Sequence, residues 1–325
     1  MQRRVLCGAL ALAPLVVASR AFAVSARPLR VAWVSFGMAD QNSVPLLMFR
    51  RGLRELGYAE GRNVVIETWW GEGSADQVEK LAADIVRSKP DIVVVGGAAL
   101  RPVVKAGVKL PIVFTISADP VEAKLVDSFA RPGGNLTGMS LFTVDMIGKR
   151  MELLKEVMPG VRRIAVIANP MHAGEKKELA AAQFAADRQG LSMRYLPTDT
   201  GAELDRALAQ VAQARDEAIV AFADAFTMSY AARIAEFSLQ KRIPAVSGWA
   251  EFARKGNLMS YGPVVEENQR RLAVYVDKIH KGAKPGDLPI EFPTRTELVV
   301  NLRAAQGMGM AIPVSLLARA DEVIR

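Results

Sequence analysis

Short apolar runs alternate with amphipathic stretches along most of the chain, and this alternation predicts a repeated strand–helix plan. Residues 29–36 form a Val-rich run, as expected of a strand covered on both faces. Over 42–56, Leu46, Phe49, Leu53 and Leu56 follow helical spacing, and Gly57 ends that helix. Residues 64–69 read as a second strand. Ser74 and Gln77 then form a capping box ahead of Val78, Leu81 and Ile85. A third strand over 91–95 opens at Gly96-Gly97 into a helix over 98–108. A fourth covers 111–116 and is followed by a helix to 130. The turn from Pro132 to Asn135 leads into an apolar run over 136–142.

The second half repeats the plan. Strands are predicted at 163–168, 192–196, 218–223, 244–247 and 258–261. Helices fall between them at 174–189, 202–213, 228–241 and 250–255. Thr200 and Glu203 make another capping box, before Leu204, Leu208 and Val211. Beyond 262 the rhythm changes. Val265, Leu272, Val276 and Ile279 line one side of a long helix ending at Lys281-Gly282, a strand follows at 297–301, and helical segments run to 325. Alternation at this spacing predicts an α/β protein with two doubly wound parallel sheets.

Composition sharpens this picture at the amino end. Arg3 and Arg4, an apolar run over 5–18 and Ala21-Phe22-Ala23 have the layout of a secretory signal cleaved after Ala23. The apolar run is too short to span a bilayer, so no membrane insertion is expected after cleavage. The single cysteine, Cys7, lies within this segment. The mature chain is therefore expected to have no disulfide, thiolate nucleophile or cysteine metal site. About 300 remaining residues suggest two domains.

The net charge of +8 falls to +5 once Arg3, Arg4 and Arg20 leave. The basic residues are scattered along helices, as at Arg50, Arg51 and Arg54, with no concentrated stripe, which argues against nucleic-acid binding. His172 and His280 are the only histidines, and neither stands at metal-ligand spacing. The chain has no Gly-x-Ser-x-Gly elbow and no phosphate-binding loop, and Gly71-Glu72-Gly73 lacks the third glycine of a dinucleotide fingerprint. A non-enzymatic role without cofactor or metal is expected.

Several stretches carry a family resemblance. They are PIVF at 111–114 with Asp119-Pro120-Val121, ARPGGNLTG at 130–138 and GKRMELLK at 148–155. Further on come LMSYG at 258–262, RLAVYVD at 271–277, KGAKP at 281–285, TELVVN at 296–301 and LLARADEVI at 316–324. In these the chain resembles the tryptophan-type ABC-transporter substrate-binding proteins, which share the type I periplasmic binding fold. The resemblance implies two lobes joined by a three-segment hinge, with crossings at 137–143, 259–263 and 289–296. It assigns 28–142 plus 263–290 to lobe 1, and 143–262 plus 291–325 to lobe 2. It also implies a periplasmic monomer that captures a small polar solute, such as an amino acid, and passes it to an ABC permease and its ATPase subunits. A sensor docking to a membrane receptor would use the same cleft.

Ligands of open parallel sheets bind at the carboxyl ends of strands. That rule selects Ser35, Phe36, Gly97, Ala98, Ser117 and Asp119 in lobe 1, and Asn169, Asp224, Ser247 and Trp249 in lobe 2. Tyr261 faces the same gap from the implied hinge. Each residue has a structural alternative. The Gly96-Gly97-Ala98 loop either receives a ligand carboxylate or is a plain turn, and it lacks the hydroxyl residue frequent there in the family. Asp224 either meets a ligand ammonium or caps the helix carrying Met228. Asp119 and Asn169 precede prolines and read first as cap and turn. Phe36 and Trp249 either stack on a ligand or belong to the core. Trp33, inside a strand, reads as packing, and of Trp69 and Trp70 at most one reaches the core.

Overall fold

The computed structural model describes residues 27–325 except 142, 143 and 173. The predicted export segment lies outside the described residues. The first half runs β1 (Leu29–Ser35), α1 (Val44–Glu55), β2 (Val64–Trp70), α2 (Ala75–Ser88), β3 (Ile92–Gly96), α3 (Leu100–Lys105), β4 (Ile112–Ile116) and β5 (Leu136–Ser140). The chain continues with α4 (Val144–Val157), β6 (Arg163–Ala168), α5 (Glu175–Gln189), β7 (Ser192–Pro197), α6 (Gly201–Gln213), β8 (Ala218–Ala221), α7 (Ala225–Ser229) and α8 (Ala231–Lys241). Last come β9 (Ala245–Ser247), α9 (Ala250–Arg254), β10 (Met259–Pro263), α10 (Val265–His280), β11 (Thr296–Asn301), α11 (Leu302–Gly307), α12 (Val314–Leu317) and β12 (Glu322–Ile324).

These strands make two sheets, ordered β2-β1-β3-β4-β5 and β12-β11-β10-β9-β8-β6-β7. Every pairing is parallel except β10 with β11. Each sheet is buried on both faces, which explains strands such as β3 and β4 that read as unbroken apolar runs. In lobe 1 one face packs on α2 and α3, and the other on α1 and α10. In lobe 2 one face carries α4, α5 and α11, and the other α6 and α8. The chain passes between the sheets after β5, after β10, and again after α10 on its way to β11.

One glycine shows how tightly β4 and β5 approach. Gly138 has φ +147°, and a Cβ there would stand 2.0 Å from the Phe114 carbonyl oxygen. Only glycine fits this register.

Several expected elements differ. The helix predicted after 116 is a series of turns, in which Leu125 N–H reaches back to the Pro120 carbonyl and Lys124 takes φ +56°. The helix expected over 98–108 is a 3-10 turn followed by the six-residue α3. That over 228–241 divides into α7 and α8 at Tyr230. Helix α4 was not anticipated, and the chain ends in β12 rather than a helix. Trp69 and Trp70 both pack on cores, on opposite faces, because the sheet is covered on both sides.

Candidate functional site

A cavity of about 200 Å³ lies between the carboxyl ends of the two sheets, lined by residues of both lobes. Lobe 1 contributes the loop after β1 with Ser35 and Gly37, the Gly96-Gly97 turn after β3, and Thr115 to Ser117 at the end of β4. Lobe 2 contributes His172, Asp224, Trp249 and one side of α7. Gln269 and Leu272 of α10 close one flank.

Asp224 ends the loop after β8 and is 4% exposed. Its Oδ1 accepts the Thr227 N–H at 2.7 Å, making it the N-cap of α7. Its Oδ2 has no hydrogen-bond partner among the described residues. Burial pushes the carboxyl above its ordinary range, opposed by the nearby His172 and by Thr227 and Asn169. The side chains of Asn169 and Thr227 lie near enough to favour the charged form, yet their Nδ2 and Oγ1 atoms reach hydrogen-bond geometry with no described residue. His172 is buried as well, and its Nδ1 accepts the Gly174 N–H at 3.2 Å.

Of the residues selected by sequence, Ser35, Gly97, Ser117, Asp224 and Trp249 line this cavity. The others do not. Phe36 and Ala98 are buried in the lobe 1 core and are not among the residues lining the cavity. Asp119 is a cap, its Oδ1 accepting Val121 N–H at 2.8 Å and Glu122 N–H at 3.2 Å. Asn169 makes a turn, accepting Met171 N–H at 2.9 Å, and stands behind Asp224 rather than on the cavity wall. Ser247 is fully buried at the end of β9. Tyr261 packs on the lobe 2 core, and its carbonyl accepts Arg150 Nε at 2.8 Å.

Trp33, Trp70 and Gln269 are among the cavity residues that the strand-end rule did not select. Trp33 packs on Phe49 with ring centroids 5.0 Å apart, but it also lines the cavity. It shares a strand face with Ser35, a period-2 relation that could have revealed it. Trp70 ends β2 beside it. Gln269 sits on the apolar side of α10, three residues before Leu272, and its Oε1 is buried without a partner among the described residues. A polar residue within an apolar helix stripe is the available signal. The indole nitrogens of Trp33 and Trp249 are also buried without described partners.

The lobes touch beyond the cavity. Phe226 of α7 is buried in a cluster whose other buried members come from 32–136 and Ile290. Lys177 pairs with Glu122 across the gap. A Cβ on Gly174 would stand 3.1 Å from the Ala118 Cβ, so lobe 2 rests directly on the loop after β4. Among the described residues no group of His, Cys, Asp and Glu is arranged to hold a metal, and no helix is long and apolar enough to cross a membrane.

Two doubly wound lobes with a cavity between their strand ends define a substrate-binding protein of the type I periplasmic binding fold. The family described as ABC transporter substrate binding protein matches residues 48–324, and the chain belongs to that family. It is similar to a tyrosine-binding protein of Clostridioides difficile, at 24% identity over 263 residues, covering 81% of this chain and 75% of that one. It is also similar to the crystal structure of a conserved domain protein from Vibrio cholerae, with 27% identity, TM-score 0.84, and coverage of 91% of this chain and 100% of the other. A Streptococcus pneumoniae ABC domain in complex with L-Trp matches at 23% identity and TM-score 0.82, over 91% of this chain and 100% of that one.

Proposed function

We propose that the protein is the extracytoplasmic receptor of an ABC importer and that it captures a single amino acid between its lobes. The observation that carries this reading is Asp224, a buried carboxylate on the cavity wall with one oxygen left for a partner. A ligand ammonium meets that oxygen, forming a charge-assisted hydrogen bond worth roughly 1.5–3 kcal/mol. The ligand carboxylate lies against the Gly97 and Ser117 loops of lobe 1, where Gly97 has φ +56° and a Cβ would meet nothing within 4 Å. Trp33, Trp70 and Trp249 supply aromatic walls for a flat or apolar side chain.

Size supports a small guest. A cavity of about 200 Å³ is below the roughly 300–1,000 Å³ usual for drug-sized ligands. The names of two relatives, one tyrosine-binding and one complexed with L-Trp, support an amino acid with an aromatic side chain. Capture proceeds by hinge closure at the three crossings, with 28–142 plus 263–290 moving against 143–262 plus 291–325. The mature chain works in the periplasm after cleavage near Ala23, as a monomer that presents its closed form to a permease driven by separate ATPase subunits. Mass spectrometry of small molecules retained by gently purified protein tests the reading. A retained amino acid is expected, and a retained sugar or anion would refute it.

A further inference from the structure

Helix α7 has two working sides. Ala225, Met228 and Ser229 line the cavity, whereas Phe226 does not. The Phe226 ring instead leaves lobe 2 and is buried, at 2% exposure, among apolar side chains of lobe 1 such as Val34, Phe36 and Val78. Its Cδ2 would lie 3.8 Å from a Cβ placed on Gly73, so the Gly71-Glu72-Gly73 loop forms one edge of the socket. Behind it the Tyr230 ring packs with centroids 4.9 Å apart. On the neighbouring edge, a Cβ at Gly37 would come within 3.0 Å of Ser229 Oγ, which shows how closely α7 is seated on lobe 1.

We propose that Phe226 is a positioning residue that sets ligand affinity by holding the lobes together, without touching the ligand. The inference rests on the cleft being the ligand site. Asp224 fixes the start of α7 through Oδ1 and presents Oδ2 to the ligand, so the same short helix answers to both the guest and the socket. Separating the lobes withdraws an aromatic ring from an apolar pocket into water, which opposes opening. Apparent affinity scales with the fraction of protein in the binding-competent state, so whatever favours closure tightens binding. Lys177 with Glu122 adds an exposed ion pair to the same contact, worth little by itself.

The test compares the full mature protein with Phe226→Ala and Phe226→Leu, using L-tryptophan and L-tyrosine as probes in calorimetry and X-ray scattering with and without probe. Phe226→Ala is expected to weaken probe binding at least about tenfold, to speed release more than it slows association, and to enlarge the unliganded radius of gyration. Phe226→Leu restores most of each effect. Wild-type affinity and radius in Phe226→Ala would overturn the inference. So would an affinity loss that accompanies a lowered melting temperature and is not rescued by leucine, since that marks an ordinary core residue. If neither probe binds the wild type, the amino-acid reading fails. Scattering then still decides the role of Phe226: expansion in the alanine variant supports it and an unchanged radius removes it.

Discussion

Asp224 Oδ1 accepts the Thr227 backbone N–H at 2.7 Å, and this one bond makes the cleft carboxylate the N-cap of the helix behind it. Cap and ligand contact, which the sequence offers as alternatives, are open to the same residue through different oxygens. Asp224→Asn keeps a good capping oxygen and removes the charge, whereas Asp224→Ala removes both. The asparagine variant should melt close to wild type yet bind an amino acid roughly ten- to a hundredfold more weakly. The alanine variant should lose that affinity and about 1 kcal/mol of stability as well. Differential scanning calorimetry and titration on both variants check this; equal binding by wild type and Asp224→Asn would remove the carboxylate from the site.

Burial raises the Asp224 pKa, so its proton is taken up at a higher pH than by an ordinary aspartate. Protonation would remove the charge that the proposed ligand ammonium meets. Affinity should therefore fall as pH is lowered, beginning above the usual aspartate range, while Asp224→Asn stays flat. In the unliganded protein the sign is opposite. The folded state holds its proton more tightly than the unfolded chain, so this group's contribution to stability decreases as pH rises through the window between the two values. Titrations and melts across that range measure both trends.

Arg150 is a fully buried guanidinium on α4 that donates Nε to the Tyr261 carbonyl at 2.8 Å, in the strand leading to the second crossing. It packs under Gly248, where a Cβ would stand 2.4 Å from Nη2. Burial draws its pKa down to about 10, against the attraction of the buried Glu178. Arg150→Met removes a buried cation that attracts Glu178 and the hydrogen bond to Tyr261, and should lower stability in denaturant unfolding by about 3 kcal/mol. Adding Glu178→Gln should recover part of that loss. Strictly additive costs in the double variant would show that the two charges do not interact.

Glu297 lies on β11 with Glu266, Glu322 and Asp321 nearby, and Arg254 is the cation among them. Burial first, then the neighbouring carboxylates, push its pKa up to about 7. The unfolded chain releases this proton at lower pH, so the group costs stability as pH rises from the ordinary glutamate range to about 7. Glu297→Gln should be nearly neutral in mild acid and stabilising above neutrality. After solvent screening the gain is on the order of 1 kcal/mol. A melting temperature that is unaffected by the substitution at every pH would contradict this environment.

Much of the fold was legible because strands covered on both faces read as continuous apolar runs, and because Ser74 and Thr200 cap their helices as capping-box spacing predicts. Elements set by tertiary contact were not legible. Turns replace the helix after β4 because the chain there runs from a cap at Asp119 through the left-handed Lys124. Strand β12 is three residues long and exists through its pairing with β11. In the site, the strand-end rule found the loops but not which side chains turn inward. Phe36, one residue past the end of β1, is taken up by the lobe 1 core, whereas Trp33, inside the strand, reaches the cavity. Gln269 lay beyond the rule altogether, since it comes from a helix that returns to lobe 1 from far along the chain.

If Asp224 holds a guest's ammonium between the lobes, a guest without its amine binds more weakly. Calorimetry of the mature protein, stripped of bound solute, against L-tryptophan and against indolepropionate, its analogue without the amine, tests this most directly. One-to-one binding of L-tryptophan is expected, with the analogue weaker by roughly tenfold or more. Equal affinity for the two compounds, or no binding of any amino acid, would contradict it.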